Sequence, residues 1–349
     1  MPPAHSATQG QKLVYRDQIL PYQRPAWLAR IERFRHTKLQ WFSECFAEAL
    51  GVFFYCYCGG SSQALFVFTG IAKLEGLSSL FQLGWGYAIG ILLALVICGP
   101  ISGGHINPAV TICHMLFRKF PMIRGIRYIV AQIVGGYIGF LFVYLQYKHT
   151  ILAIEATIPP DTMKKILFTP SGPAGAFGDY LQPNASVGLA FVNEFMVTFI
   201  IGIVLWGVDD PASVHLPPAF QAPVVALTYA VTTWGFAANG LAANTARDLG
   251  GRFLAWTIWG SAATGPSKGY AAISALTNIP ATILAYLVYE IFFVDSDRVI
   301  PEFRREYYDL KTFHRRKYAA VYGQPPEASD DSVSGGEKLK ELVGTLDRV

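Results

Sequence analysis

Two stretches decide the fold: Ser102-Gly103-Gly104-His105-Ile106-Asn107-Pro108-Ala109 and Gly240-Leu241-Ala242-Ala243-Asn244-Thr245-Ala246-Arg247-Asp248. Each follows a long apolar segment and opens a further apolar run of about ten residues, too short to cross the roughly 30 Å hydrocarbon core of a bilayer. Asn is a strong N-cap and Pro suits the first helical turn, so Asn107-Pro108 reads as the start of a helix. Asn244 starts a second one, with Arg247 in its first turn. Two such starts in the two halves of one membrane chain predict a pair of half-helices. Their positive N-terminal ends would turn toward a single aqueous lumen.

The membrane reading rests on composition. The chain has 349 residues, of which 52% are hydrophobic and 15% charged, whereas soluble domains carry about 25% charged residues. The charges are also segregated. Of 28 Lys and Arg, seven precede Trp41, four lie from Arg118 to Arg127 and ten follow Phe293. The positive-inside rule then puts both termini and the Arg118–Arg127 segment in the cytoplasm, which requires an even number of spans. The net charge of +4 thus reports topology and gives no sign of a nucleic-acid surface. The first forty residues show no signal-peptide pattern, which makes the plasma membrane the default location. Cys45, Cys56, Cys58, Cys98 and Cys113 fall in or beside apolar segments without a partnering His, so they read as small hydrophobes and not as metal ligands.

Six stretches are long enough to span, at about 41–60, 80–97, 126–147, 186–207, 222–240 and 279–293, the last beginning near Ser274. The order is span, span, half-helix, span, then the same again, over about 41–147 and 186–293. Three spans per half is odd, so the second half runs the opposite way through the bilayer, and the site belongs at the midplane between the halves. Each half carries a membrane glutamate before its Asn, Glu48 and Glu194, 59 and 50 residues ahead. The reading therefore divides the chain into a cytoplasmic segment 1–40, a membrane domain 41–293 and a cytoplasmic tail 294–349. Trp27, Leu28, Ile31 and Phe34 alternate with Arg30, Arg33 and Arg35 at helical spacing, as in a basic helix lying on a membrane surface, with a gating plug as the sharper alternative. The connection from Lys148 to Pro183 is the longest within the membrane domain. It would be extracellular and ends beside the sequon Asn184-Ala185-Ser186. The polar tail from Pro325 to Glu337, with Ser329, Ser332 and Ser334 beside Asp330 and Asp331, reads as disordered.

Taken in order, Ala47-Glu48-Ala49-Leu50-Gly51, the first Asn motif, Gln132 in Ala-Gln-Ile-Val-Gly-Gly, Glu194 and Ala246-Arg247-Asp248-Leu249-Gly250 resemble the major intrinsic protein family, the aquaporins and aquaglyceroporins. The likeness covers about 41–293, and the long termini are similar to those of fungal members. It implies an all-α membrane fold, with six transmembrane helices and two re-entrant half-helices in a right-handed bundle. It also implies one pore per subunit of a homotetramer, no cofactor, and passive conduction of water, glycerol or similar small neutral solutes. On this reading Asn107, Pro108, Ala109, Asn244, Thr245 and Ala246 form the pore midplane. The two asparagine amides replace hydrogen bonds that a solute loses on leaving bulk water. Glu48, His105, Gln132 and Glu194 form a scaffold that satisfies the irregular backbone leading into the half-helices.

Selectivity in the family lies at four positions around the arginine. Counted back without gaps from the two asparagines, these are Tyr87, Thr232, Leu241 and Arg247. Water-only members carry His where this chain has Thr232, and a small residue where it has Asp248, so both positions resemble the glycerol-conducting branch. A lone arginine in a bilayer is costly, which places Arg247 on the aqueous path, the alternative being a buried salt bridge. The chain departs from the family pattern at Thr245 and at Gly251, both usually proline. Thr at the first helical turn gives up the rigidity of proline and adds a hydroxyl within reach of the lumen, where it would alter solute preference. A water-dominant pore narrowed by Tyr87, a hydrogen peroxide channel, a gradient-driven transporter and a non-conducting scaffold are the competing readings. A transporter needs ionisable groups for a coupling ion, and Glu48, Glu194 and Arg247 all fall on scaffold or pore positions. No nucleophile–base pair suggests an enzyme.

Overall fold

The computed structural model describes residues 19, 24–182, 184–265 and 269–310. Ser329, Ser332, Ser334 and the stretch from Pro325 to Glu337 lie outside them. The chain falls into two units, one ending at Gln40 and one beginning at Trp41. The first contains helix α1 (Ala26–Lys38), whose Trp27, Ile31 and Phe34 are exposed.

The second unit is built from helices, with no strand among the described residues. In chain order these are α2 (Gln40–Ala72), α3 (Leu80–Ser102), α4 (Pro108–Phe117), α5 (Met122–Thr157), α6 (Pro160–Ile166), α7 (Val187–Asp209), α8 (Gln221–Phe236), α9 (Thr245–Trp259), α10 (Tyr270–Leu276) and α11 (Asn278–Phe292). Five segments are long and apolar enough to cross a membrane: α2, α3, α5, α7 and the near-continuous α10–α11. The sixth, α8, has 16 residues and is prolonged by 3₁₀ turns at Pro218–Phe220 and Ala237–Asn239. Helices α4 and α9, of 10 and 15 residues, are the half-helices.

The two halves pack as a repeat. Helix α3 lies along α8, α9 against α5, and α4 against α11 and α5. Glycines set the closest approaches. A Cβ on Gly135 of α5 would overlap the Ala49 carbonyl oxygen of α2, and one on Gly250 of α9 would stand 2.6 Å from the backbone of Gly136 and Tyr137. Small residues that let backbones meet are the usual means of holding helices together in lipid.

Several helix ends differ from the sequence expectation. The first span runs twelve residues past Gly60 to Ala72, through Gly59-Gly60-Ser61-Ser62. Those glycines do not end the helix: a side chain at Gly59 would overlap the Tyr87 ring, and one at Gly60 would meet Phe140. The third span continues to Thr157, not Tyr147, so the connection to α7 is shorter than expected and contains α6 and a 3₁₀ turn, Pro173–Ala176. In the fifth span the α-helix stops at Phe236, before the predicted end at Gly240.

Candidate functional site

The two half-helices begin in the same way. Asn107 and Asn244 are N-caps in extended backbone, and each follows a residue in the left-handed region, Ile106 at φ 53° and Ala243 at φ 52°. The Asn107 side chain accepts from the Ala109 N–H at 3.0 Å; that of Asn244 accepts from Ala246 and Arg247 at 2.8 and 3.1 Å. The amides also tie the halves together: Asn107 Nδ2 donates to the Ala243 carbonyl at 3.3 Å and Asn244 Nδ2 to the Ile106 carbonyl at 2.8 Å. Each amide thus spends one N–H on the opposite half-helix.

The loops before these caps are irregular and buried, so their N–H groups need partners. Glu48 accepts from His105 and Ile106 at 3.0 and 2.7 Å, and Glu194 from Ala242 and Ala243 at 2.8 and 2.7 Å. Gln132 Nε2 donates to Glu48 at 2.7 Å and to Thr111 at 3.0 Å. His105 Nδ1 lies 3.2 Å from the Thr111 hydroxyl, and its ring stacks on His114 with centroids 4.3 Å apart.

Thr245 corrects the sequence expectation. Its hydroxyl does not reach the lumen. It donates away from the axis, lying 2.8 Å from both the Ala275 carbonyl and Asn278 Oδ1. Gly251 also has a local reason. A Cβ there would overlap the Phe177 carbonyl oxygen, so the missing side chain lets the loop before α7 lie directly on α9. Asp248 points away from the passage as well, pairing with Arg252 at 3.0 Å in a fully buried setting.

Tyr87, Thr232, Leu241 and Arg247 line one cavity of about 300 Å³ that runs from the 170–182 loop down to Ala243. Tyr55 and Tyr229 line its inner part, their rings 5.9 Å apart, with Tyr55 5.1 Å from Tyr87. Arg247 combines the two alternatives posed by the sequence: it borders the cavity and is also in a salt bridge, Nη1 lying 2.5 Å from Asp179 Oδ2. Nη2 donates to Gln63 Oε1 at 2.6 Å and to the Tyr87 hydroxyl at 2.9 Å, and the guanidinium sits 5.3 Å from the Phe140 ring centre. Only 2% of the Arg247 side chain is exposed. Burial pushes the Asp179 carboxyl up to about 6, against the opposing pull of Arg247.

Gln63, Asp179, Tyr55 and Tyr229 escaped the sequence reading. Gln63 left one signal, a polar side chain inside a long apolar run. Asp179 left another, as the sole acidic residue between Asp161 and Glu194. The tyrosines left none, since a buried aromatic in a helix is ordinary core.

A family model described as "Major intrinsic protein" matches residues 35–276. Aquaporin-3 of Laccaria bicolor is 46% identical over 304 residues, covering 86% of this chain and 92% of that one. Aquaglyceroporin-2 of Rhizophagus irregularis is 31% identical, covering 71% and 76%. Among solved structures, the aquaglyceroporin from Plasmodium falciparum shares the fold at a TM-score of 0.62 with 24% identity, over 72% of this chain and 96% of its own. The chain belongs to the major intrinsic protein family of membrane channels.

Proposed function

We propose that the protein conducts glycerol and water passively and excludes ions and protons. Asn107, Pro108, Ala109, Asn244 and Ala246 form the midplane of its passage, with Thr245 holding the second half-helix from behind, and Tyr87, Thr232, Leu241 and Arg247 form its filter. The observation that carries this reading is the two-sided lining of the outer cavity. Arg247, Gln63, Asp179 and Thr232 offer hydrogen bonds, while Leu241, Leu83 and Val67 offer apolar surface. A polyol has a hydroxylated edge and a carbon edge, and such a lining matches both. Positive potential at the two half-helix N-termini opposes cations at the midplane. Glu48, His105, Gln132 and Glu194 act as scaffold, and Asp248 acts through Arg252 without facing the solute. The protein works as a homotetramer in the plasma membrane, with both termini cytoplasmic.

Thr232→His tests the filter. An imidazole there would occupy the space of the carbon backbone, so glycerol permeability of reconstituted protein should fall by about tenfold while water permeability stays within about twofold. Equal glycerol rates in the two proteins would remove Thr232 from the filter.

A further inference from the structure

Arg247 is held on both sides by residues that do not belong to the four filter positions. Asp179 takes Nη1. Gln63 takes Nη2 and accepts at the same Oε1 from the Tyr87 hydroxyl at 2.5 Å, while its own Nε2 donates to the Gly175 carbonyl at 2.6 Å. Asp179 is fixed in turn. Its carbonyl accepts from Arg252 Nη2 at 2.7 Å, and Arg252 also holds Asp248 and the Ser274 hydroxyl at 3.1 Å. Gly175 and Gly251 let this loop lie against its neighbours: a Cβ on either would overlap a carbonyl oxygen, of Thr169 and Phe177 respectively. The loop from Pro173 to Tyr180 thus carries a carboxylate to the mouth of the cavity and anchors it there.

We propose that Asp179 and Gln63 are positioning residues of the selectivity constriction, holding the Arg247 guanidinium to one wall and, through Asp179, cancelling its charge. The inference rests on the channel reading above. A solute then meets a compensated ion pair and leaves it readily. Conduction requires binding weak enough to release. With Asp179 neutral, the arginine stands uncompensated at the narrow ring, binds hydroxyl groups more tightly and slows their passage. The groups that act on Asp179 are Arg247, Asp248 and Arg252 of α9, Tyr87 of α3, Glu194 of α7, Tyr270 of α10 and Tyr180 of its own loop. Burial pushes the Asp179 carboxyl up to about 6 against the pull of Arg247, so acid on the outer face drives it toward the neutral form.

The test is glycerol permeability of full-length protein in proteoliposomes at external pH from about 7.5 to about 4.5, a range that takes such a group from mostly ionised to mostly protonated. Wild type should lose about threefold or more of its rate as the pH falls, with a midpoint above the ordinary carboxylate range because burial raises Asp179. Asp179→Asn should be slow and flat across the range. Asp179→Glu should restore the step, and Gln63→Leu should be slower than wild type at every pH. A wild-type rate and profile in Asp179→Asn would overturn the inference while leaving the channel reading intact. So would a wild-type rate in Gln63→Leu, for the part assigned to Gln63. Wild-type protein no faster than empty liposomes at any pH would overturn the channel reading itself.

Discussion

At Thr245 the hydrogen bonds say what the residue type does not. The side chain stands where proline would be pre-organised, yet its hydroxyl is fastened to Ala275 and Asn278 behind the half-helix. Thr245→Pro should therefore cost about 1–2 kcal/mol through loss of those contacts, read as a lower melting temperature in detergent. The glycerol-to-water ratio should stay within about twofold, and a larger change would return the hydroxyl to the lumen. Asp179 gives stability a pH dependence whose sign follows from the upward push of burial on its carboxyl. Its carboxyl is raised from 3.8 to about 6 in the folded protein, so folding favours the protonated form. Its contribution to stability is complete below the lower value and is lost as pH rises through the upper one. Asp179→Asn at about pH 7.5 should accordingly melt no lower than wild type, and a marked fall would mean that the ion pair outweighs the cost of burying it. Glu48 and Glu194 were legible at this scale. A carboxylate in a membrane helix needs a partner, and unpaired backbone near the half-helices supplies one. Gln63 and Asp179 were not, because each meets Arg247 through tertiary contacts at sequence separations of 184 and 68.

At the scale of elements, the half-helices were readable because capping is local chemistry: Asn at the cap, with Pro or Thr at the first turn, is visible in a few residues. Helix ends were less readable. Gly59-Gly60 resembles a terminator by propensity, but in lipid a helix cannot stop without leaving backbone groups unsatisfied, and the glycines serve packing against Tyr87 and Phe140. The lengthening of α5 to Thr157 follows the same logic, since Lys148 and His149 mark emergence from the apolar zone and not the end of the helix. Gly251 couples two elements, α9 and the loop over it. Gly251→Ala should displace the Phe177 carbonyl and cost about 1–3 kcal/mol. It should also lower glycerol flux by loosening Asp179 from Arg247. Unchanged melting and flux would show that the loop can shift without consequence.

Across the whole molecule, the inverted repeat appears as matched hydrogen bonds. A glutamate in the first helix of each half serves the two residues before the Asn, and the Asn of each half donates to the carbonyl that precedes the other. The arrangement joins two short helices end to end inside a bundle of six, where neither could stand alone in lipid. The contacts of Arg247 do not follow this pairing, since Asp179 and Gln63 both meet its guanidinium beside one cavity. The linear sequence shows that asymmetric part least. The most direct measurement is stopped-flow light scattering on proteoliposomes of the full chain, under separate glycerol and impermeant-osmolyte gradients. The account predicts that both glycerol and water relax faster than in empty vesicles, in proportion to the gradient. Fast water with no glycerol above the lipid background would contradict the proposed solute and mark Tyr87 as a water-only restriction, and silence under both gradients would contradict the channel itself.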